Sequence, residues 1–115
     1  MKVIAKNGKA YHEYAIMETL EGGISLLGTE IKSLRQSGCN LKEAFVRISR
    51  KAEAFLHQLD IPVYKFGNRS NHEPTRTRKL LLHRREITML HDALEKKQLS
   101  CIPLQIYLKE IMLNY

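Results

Sequence analysis

The sequence predicts a mainly β fold with short helices, in which antiparallel strands close on themselves and two helices pack beside them. Several short stretches alternate apolar and polar residues, which is the pattern of a half-buried strand, and two others repeat apolar residues at helical spacing. With 115 residues, 43% of them hydrophobic, the chain can bury one core without disulfides or metals. We therefore expect a single domain over residues 1–115.

The first two predicted strands lie on either side of a glycine turn. Residues 11–18 alternate a polar and a less polar face, and residues 24–27 have the composition of a well-buried strand. Between them, Gly22 and Gly23 can adopt positive backbone angles at little cost, which is typical of a turn. We therefore expect these two strands to form a hairpin.

A short helix is predicted next. Thr29 is the expected N-cap, and Gly38 is expected to end the helix. Helical spacing places Ile31 and Leu34 toward the core. The residues expected to face outward are Glu30, Lys32 and Arg35.

The middle of the chain predicts two more strands and a long loop. Residues 44–50 and 52–59 alternate again, and a tight basic turn between them indicates an antiparallel hairpin. Pro62 ends the pairing because proline lacks the backbone donor of a strand ladder. Residues 65–77 are rich in turn residues and form the longest predicted loop, a common location for function.

The last third predicts the main helix and a fifth strand. Apolar residues recur at near-helical spacing from Leu82 to Leu94, which indicates an amphipathic helix ending near Lys97. Residues 99–109 alternate as a half-buried strand. Five short strands and two helices fit a small closed barrel of the oligonucleotide-binding type (OB-fold), because closure removes exposed strand edges.

Positive charge is concentrated between residues 76 and 87. The chain has 19 Lys and Arg against 12 Asp and Glu, a formal net charge of +7, which favours an anionic partner. The stretch 76–87 has one acid, Glu86, and five basic residues: Arg76, Arg78, Lys79, Arg84 and Arg85. Each neutralised phosphate releases condensed counterions, so we predict a helix start that faces the phosphates of a nucleic acid. The alternative is a solvated basic face.

Other classes of function have little support in the sequence. Cys39 and Cys101 lack the paired spacing of a metal site, so we expect reduced thiols and neither metal nor cofactor. No signal peptide or long apolar run is present, which predicts a cytoplasmic protein without a membrane partner. Five histidines could serve a metal-independent ribonuclease, but no recognisable catalytic arrangement occurs, and we expect no enzyme.

Two groups of residues resemble the signatures of a known family. The first group is Asn7, Ala10, His12, Tyr14, Gly23, Ile24, Leu26 and residues 28–35, Gly-Thr-Glu-Ile-Lys-Ser-Leu-Arg. The second is Tyr64, Gly67, Asn68, Asn71, His72, Pro74, Arg76 and residues 78–83, Arg-Lys-Leu-Leu-Leu-His. In this order, over about residues 7–109, they resemble the SsrA-binding protein (small protein B) family of bacterial trans-translation.

The resemblance implies an OB-type barrel that binds RNA as a monomer. Members of the family bind the tRNA-like domain of transfer-messenger RNA (tmRNA, or SsrA) and support its charging. Together with the elongation factor that delivers aminoacyl-tRNA, they bring this RNA to stalled ribosomes.

The family's RNA-contacting positions can be carried over onto this sequence. They fall on Glu30, Leu81 and His83, with Asn7 as a weaker addition. Basic neighbours would bind phosphates: Lys32, Arg35, Arg76, Arg78 and Lys79. Structural alternatives are that Glu30 stabilises a helix dipole, that Leu81 belongs to the core, and that His83 satisfies a helix start.

The resemblance leaves two further points open. A general RNA chaperone or single-strand binder would need the same barrel and charge, and it differs from the family in not preferring the tRNA-like domain. In addition, the family continues after about residue 109 with a strand and a lysine-rich tail, whereas this sequence has Glu-Ile-Met-Leu-Asn-Tyr at 110–115. This departure predicts a truncated copy, a frame-disrupted copy or a deliberately shortened chain, which in each case retains RNA binding and loses ribosome engagement.

Overall fold

The computed structural model describes residues 2–65 and 71–108, which form strands in two sheets together with short helices. In chain order the elements are β1 (Lys2–Lys6), α1 (Gly8–Glu13), β2 (Gly23–Ile24), α2 (Gly28–Ser37), β3 (Phe45–Ile48), β4 (Ala54–His57), β5 (Arg78–Leu81), α3 (Arg84–Glu95) and β6 (Gln105–Leu108). The predicted mainly β fold with short helices is confirmed at this level. Gly67, Asn68 and residues 109–115 lie outside the described residues. The predicted end of the last strand, at residue 109, is among them.

Two antiparallel sheets organise the described residues. The larger sheet has the strand order β2-β5-β4-β3, and the smaller one pairs β1 with β6. In the larger sheet β3 and β4 form a hairpin, with Phe45 opposite His57 and Ile48 opposite Ala54. β5 pairs with β4 on one side and with the short strand β2 on the other.

One hydrophobic core receives side chains from both sheets and from two helices. Val46 of β3, Leu56 of β4 and Ile106 of β6 are buried together with Leu34 of α2 and Leu90 of α3. The remaining buried members of the cluster are Leu41, Ala44, Leu59 and Ile61. Within the part of the chain that the structure describes, no helix is long and apolar enough to cross a membrane.

One predicted hairpin and both predicted helices occur in the structure. The predicted hairpin of strands 44–50 and 52–59 is β3–β4, with Ala52 in a turn at a positive φ of 59°. The predicted main helix is α3, and the helix before Gly38 is α2. Gly38 adopts φ 72° and ψ −153°, and its N–H donates to the Leu34 carbonyl, so this glycine ends α2 as predicted.

The predicted strand at residues 11–18 is wrong. Asn7 caps a helix there, because its side-chain Oδ1 accepts a hydrogen bond from the Ala10 N–H, and α1 continues to Glu13. Residues 11–18 are all exposed, so their alternating pattern does not reflect burial on one face of a sheet. The predicted strand 24–27 is also shorter, since β2 contains only Gly23 and Ile24.

The helix α2 faces the core differently from the prediction. Glu30, predicted to face outward, is fully buried, whereas Ile31, predicted inward, is exposed. Leu27, rather than Thr29, is the N-cap residue. The reason is electrostatic: two arginines from a distant loop and strand supply partners for a buried carboxylate, and periodicity in the local sequence cannot reveal them.

Two strands were not predicted. β1 lies in a lysine-rich segment and pairs with β6, from Lys2 opposite Leu108 to Lys6 opposite Gln105. β5 lies inside the basic stretch 76–87, where a helix start was predicted, and α3 begins only at Arg84. The predicted strand 99–109 is limited to β6 among the described residues.

Candidate RNA-binding surface

A buried carboxylate lies between α2 and the start of β5. Glu30 Oε1 accepts hydrogen bonds from the Leu27 N–H at 2.7 Å and from Arg76 Nη2 at 2.6 Å. Its Oε2 accepts from Arg76 Nε at 3.0 Å and from Arg78 Nε at 2.6 Å. The ionised carboxylate therefore has four donors, two of them from a bidentate Arg76, which is the geometry of a strong charge-assisted pair.

Arg78 is fully buried, and its guanidinium is occupied by the protein. Besides Glu30, it donates to the carbonyl oxygens of Leu59 at 2.5 Å, Pro74 at 2.9 Å and Arg76 at 3.1 Å. These bonds join β5, the end of the β4 segment and the loop before β5. The side chain of Arg78 is therefore buried, and each of its three guanidinium nitrogens is bonded within the protein. In this arrangement it does not reach solvent, where the predicted phosphate contact would be made.

Arg76 brings the charge of this cluster toward solvent. Its side chain is 29% exposed, whereas those of Glu30 and Arg78 are fully buried. Two guanidinium groups face one carboxylate, so the cluster has an excess of one positive charge. The exposed part of Arg76 is the place where an anion could approach this charge.

The Arg78 and Arg76 groups also control the ionisation of Glu30. Burial alone raises the pKa of Glu30, but the hydrogen bonds from Arg76, the Leu27 N–H and Arg78 favour the charged form. Their combined effect lowers the pKa below its ordinary value. Glu30 is therefore ionised at neutral pH.

The alternation of β5 divides the predicted RNA-binding residues between two faces. Arg78 faces the interior, while Lys79 and Leu81 face outward. Leu81 is 57% exposed, and its partner across the sheet is Gly23, which has no side chain to cover it. A β-carbon on Gly23 would lie 3.4 Å from Leu81 Cβ, an ordinary van der Waals contact.

The start of α3 lies directly after this exposed leucine. His83 is the exposed N-cap residue, and its backbone N–H donates to Glu86 Oε1 at 2.8 Å. Arg84 and Arg85 are exposed in the first turn of the helix. We call the set Lys79, Leu81, His83, Arg84 and Arg85 the β5–α3 corner. It combines an apolar group, an imidazole and three cations within the short segment from residue 79 to residue 85.

Asn7 connects three parts of the chain from a buried position. Its Oδ1 caps α1, and its Nδ2 donates to the carbonyl oxygens of Pro103 at 3.1 Å and Leu41 at 3.4 Å. All of its side-chain polar atoms therefore have partners within the protein. This arrangement gives Asn7 a structural role.

The two basic residues predicted on α2 remain exposed. Lys32 Nζ lies 5.8 Å from the centre of the Tyr64 ring, a cation–π contact, and Arg35 is in the last turn of the helix. They are on the side of α2 opposite to the buried Glu30, Ser33 and Leu34. Both can therefore reach an anion in solvent.

Two residues that position this surface, His72 and Asn71, had no predicted role. His72 is buried; its Nε2 lies 2.9 Å from the Ile61 carbonyl and its Nδ1 lies 2.9 Å from the Thr29 hydroxyl. Because the carbonyl only accepts, a neutral ring donates from Nε2 and accepts from Thr29. Asn71 bonds the backbone of Tyr64 in both directions. The turn-rich composition of loop 65–77 was the available signal.

Other chemistry has no visible support among the described residues. Burial raises the pKa of Cys39 to about 11 and also raises the pKa of Cys101, so both thiols are protonated at neutral pH. Within residues 2–65 and 71–108, no group of three or more His, Cys, Asp or Glu side chains could hold a metal ion.

Comparisons with known proteins agree with one another. A family model described as SmpB protein matches residues 4–114. The SsrA-binding protein of Geobacillus kaustophilus is 52% identical over 108 residues, covering 94% of this chain and 69% of the relative. That of Thermosipho africanus is 52% identical over 107 residues, covering 93% and 71%. A chain in a solved structure described as "tmRNA-SmpB: a journey to the center of the bacterial ribosome" matches with a TM-score of 0.75 and 42% identity, covering 92% of this chain and 73% of that one.

The fold and the surface define a small, basic, mainly β protein whose exposed corner stands beside a buried arginine–carboxylate cluster. The comparisons give its family. The chain belongs to the SmpB family.

Proposed function

We propose that this protein binds the tRNA-like domain of tmRNA and supports trans-translation, the rescue of stalled ribosomes. Its relatives at about half identity are SsrA-binding proteins, and its structural neighbour is described with tmRNA and the bacterial ribosome. Through the RNA, its further partners are the ribosome and the elongation factor that delivers aminoacyl-tRNA. The protein then acts in the bacterial cytoplasm.

The observation that carries the proposal is the β5–α3 corner. Leu81 is a large apolar side chain that the fold leaves exposed, and His83 stands beside it at the start of α3. A structured RNA offers unstacked loop bases and phosphates, which suit an apolar or imidazole surface flanked by cations. Lys79, Arg84 and Arg85 provide those cations, with Arg76, Lys32 and Arg35 as further phosphate contacts.

The buried members of the predicted site act as positioning residues in this proposal. Glu30 and Arg78 hold α2, β5 and the loop before β5 in one arrangement, and Asn7 does the same for α1 and the segment before β6. They determine where Arg76 and Leu81 are presented. A direct RNA contact by Glu30, Arg78 or Asn7 would need the cluster to open.

We also propose that the two sheets belong to one closed barrel of the OB type in a single domain. The Val46 N–H on β3 donates to the Cys101 carbonyl at 2.9 Å, which ties the free edge of the large sheet to the segment before β6. The Asn7 N–H donates to the Leu104 carbonyl at 2.8 Å. These bonds, together with the shared core, support closure.

Binding without catalysis is part of the proposal. His72, the most buried histidine of the sequence motifs, has both ring nitrogens occupied by protein groups. A general acid or base for RNA cleavage must exchange a proton with the RNA, so His72 cannot serve as one in this arrangement. Intact RNA after prolonged incubation with the protein is the expected result, and cleavage that depends on histidine would contradict it.

The test is a titration of labelled tRNA-like domain with the protein, at two salt concentrations and with excess bulk tRNA. We expect binding that resists bulk tRNA and weakens with salt, because phosphate contacts release counterions. Leu81→Ala should weaken binding about fivefold to a hundredfold, the usual effect of losing a specific base contact. Met89→Ala is the matched control, since Met89 is a similarly exposed apolar residue on α3 (53%).

Two results would contradict the proposal. If bulk tRNA displaced the tRNA-like domain at equal concentration, the protein would be a general RNA chaperone or single-strand binder. If Leu81→Ala and Met89→Ala had equal effects, the β5–α3 corner would not be the contact surface.

A further inference from the structure

A second surface lies on the outward side of the β3–β4 hairpin. Strand pairing places Phe45 beside His57 and Arg47 beside Phe55. The next strand, β5, adds Lys79 beside Phe55. We call this set of outward residues on β3 and β4, Phe45, Arg47, Phe55 and His57, the aromatic face.

The rings of the aromatic face are already ordered by contacts within the protein. Phe45 and His57 stack, with ring centres 5.2 Å apart and planes 11° from parallel. The Arg47 guanidinium carbon lies 5.0 Å from the centre of the Phe45 ring. The Thr77 hydroxyl lies 3.4 Å from His57 Nδ1. Groups ordered in advance lose less conformational entropy when a ligand binds.

An open depression of about 320 Å³ lies against this face. It is lined by Arg47, Ile48, Ser49, Phe55, His57 and Thr77. None of its lining residues belongs to the β5–α3 corner, and the surface that the depression exposes is almost entirely apolar, with Arg47 among the lining residues. An apolar lining beside one cation suits the face of a flat ring with an anionic attachment.

The charge around the depression is positive. Arg47 is exposed, and the β3–β4 turn adds exposed Arg50 and Lys51. Among the described residues none of these three forms an ion pair, whereas the nearby Glu53 is paired with Lys79 at 3.0 Å. The uncompensated positive charge therefore favours an anionic chain over a cationic or purely apolar partner.

We propose that the aromatic face binds an unpaired segment of RNA. One base lies in the depression against Phe55 and His57, and the flanking phosphates contact Arg47 and the basic turn. Stacking on aromatic side chains is open to every base but requires that the base be unstacked from its neighbours, so paired RNA is excluded. The inference rests on the proposed RNA-binding function and adds to it a contact for a single strand.

The test uses a fluorescein-labelled ten-residue oligouridylate, with binding followed by anisotropy on the full chain. Phe55→Leu removes the ring but keeps apolar bulk, and we expect it to weaken binding about fivefold to a hundredfold, the range for loss of one stacked base. Tyr11→Leu is the matched control, because Tyr11 is an exposed aromatic residue on α1. Equal effects of the two substitutions would overturn the inference.

Arg47→Gln provides a second variant that leaves the Phe55 ring unchanged. Arg47 is exposed, so the fold should tolerate the change, and we expect weaker oligouridylate binding with a salt slope lowered by about one. Lys42→Gln, an exposed cation outside the aromatic face, is the control. An unchanged slope in Arg47→Gln would contradict the phosphate contact.

Failure of this inference can be told apart from failure of the proposed function. A wild-type chain that binds the tRNA-like domain but not the oligouridylate would refute the aromatic-face site alone. A chain that binds neither RNA would refute both. Crosslinking with 4-thiouridine in the oligonucleotide should label the peptide containing Phe55 and His57, and labelling confined to the β5–α3 corner would also refute the site.

Discussion

At the scale of single residues, the arginine–carboxylate cluster is the clearest case in which burial changes the meaning of a charged residue. Arg78 and Lys79 are adjacent in the sequence and carry the same charge. Arg78 is buried and bonded to Glu30, while Lys79 is half-exposed and forms a surface pair with Glu53. Arg78 should therefore contribute more to stability than Lys79, and Lys79 should contribute more to RNA binding than Arg78.

Arg78→Ala should lower the free energy of unfolding by about 3 to 5 kcal/mol, because it leaves buried Glu30 without one of its partners. The matched Lys79→Ala should cost under about 1 kcal/mol, since exposed ion pairs contribute little. Urea unfolding of the two variants measures this difference. In RNA titrations under conditions where the variant is fully folded, Lys79→Ala should lower by about one the slope of log binding constant against log salt concentration. Equal stability of the two variants would contradict the buried role of Arg78.

The lowered pKa of Glu30 predicts a pH dependence of stability. A carboxyl whose pKa is lower in the folded than in the unfolded chain stabilises the fold above its unfolded value, about 4.3, and this contribution is lost as the pH falls through the folded pKa. Glu30→Gln lacks this contribution. We therefore expect the difference in unfolding free energy between wild type and Glu30→Gln to shrink as the pH falls from 6 to 3. A constant difference would mean that the pKa of Glu30 is not lowered.

At the scale of elements, the basic stretch 76–87 shows what a sequence pattern can and cannot give. Its charge density was visible, but the strand β5 was predicted as part of a helix start. Strand alternation is what sends Arg78 inward and Leu81 outward, and this division follows only from pairing with β4 and β2. The helix α3 was predictable because its apolar residues recur at helical spacing over several turns. Such a pattern defines the faces of a helix without a distant partner.

Gly38→Ala should destabilise the protein by about 1 to 3 kcal/mol, since φ 72° and ψ −153° lie in a region that is essentially limited to glycine. Gly8→Ala is the control, because a β-carbon on Gly8, at the start of α1, would meet nothing within 4 Å. That control should be neutral or stabilising by up to about 1 kcal/mol. Thermal and urea unfolding compare the two variants; a Gly38→Ala variant as stable as Gly8→Ala would show that this backbone conformation is not required.

At the scale of the whole molecule, residues far apart in sequence hold the two sheets together. Asn7 is the main example, since its side chain bonds the Leu41 and Pro103 carbonyls, 34 and 96 residues away. The Val46–Cys101 backbone bond adds a second link. The surface that we propose for RNA depends on this arrangement, because β5 and α3 pack on the same core as β6.

Asn7→Ala should lower the free energy of unfolding by about 1 to 3 kcal/mol, because it leaves buried backbone groups without partners. Asn40→Ala, which removes an exposed side chain that bonds only the Lys42 N–H locally, should stay within about 0.5 kcal/mol of wild type. Guanidinium unfolding provides the measurement. If Asn7→Ala instead kept full stability and lost affinity for the tRNA-like domain, Asn7 would be an RNA contact, as the family resemblance implies.

The class of fold, the β3–β4 hairpin, the helices α2 and α3, the glycine that ends α2, and the family were all predictable from the sequence. These features depend on local composition, on short-range periodicity or on motifs. Which charged residues are free to bind a partner depends instead on tertiary contacts. Glu30 and Arg78 meet from positions 48 residues apart, and the lack of a side chain on Gly23 leaves Leu81 exposed. The reason is that burial and ion pairing depend on which segments become neighbours, and a linear pattern does not contain that information.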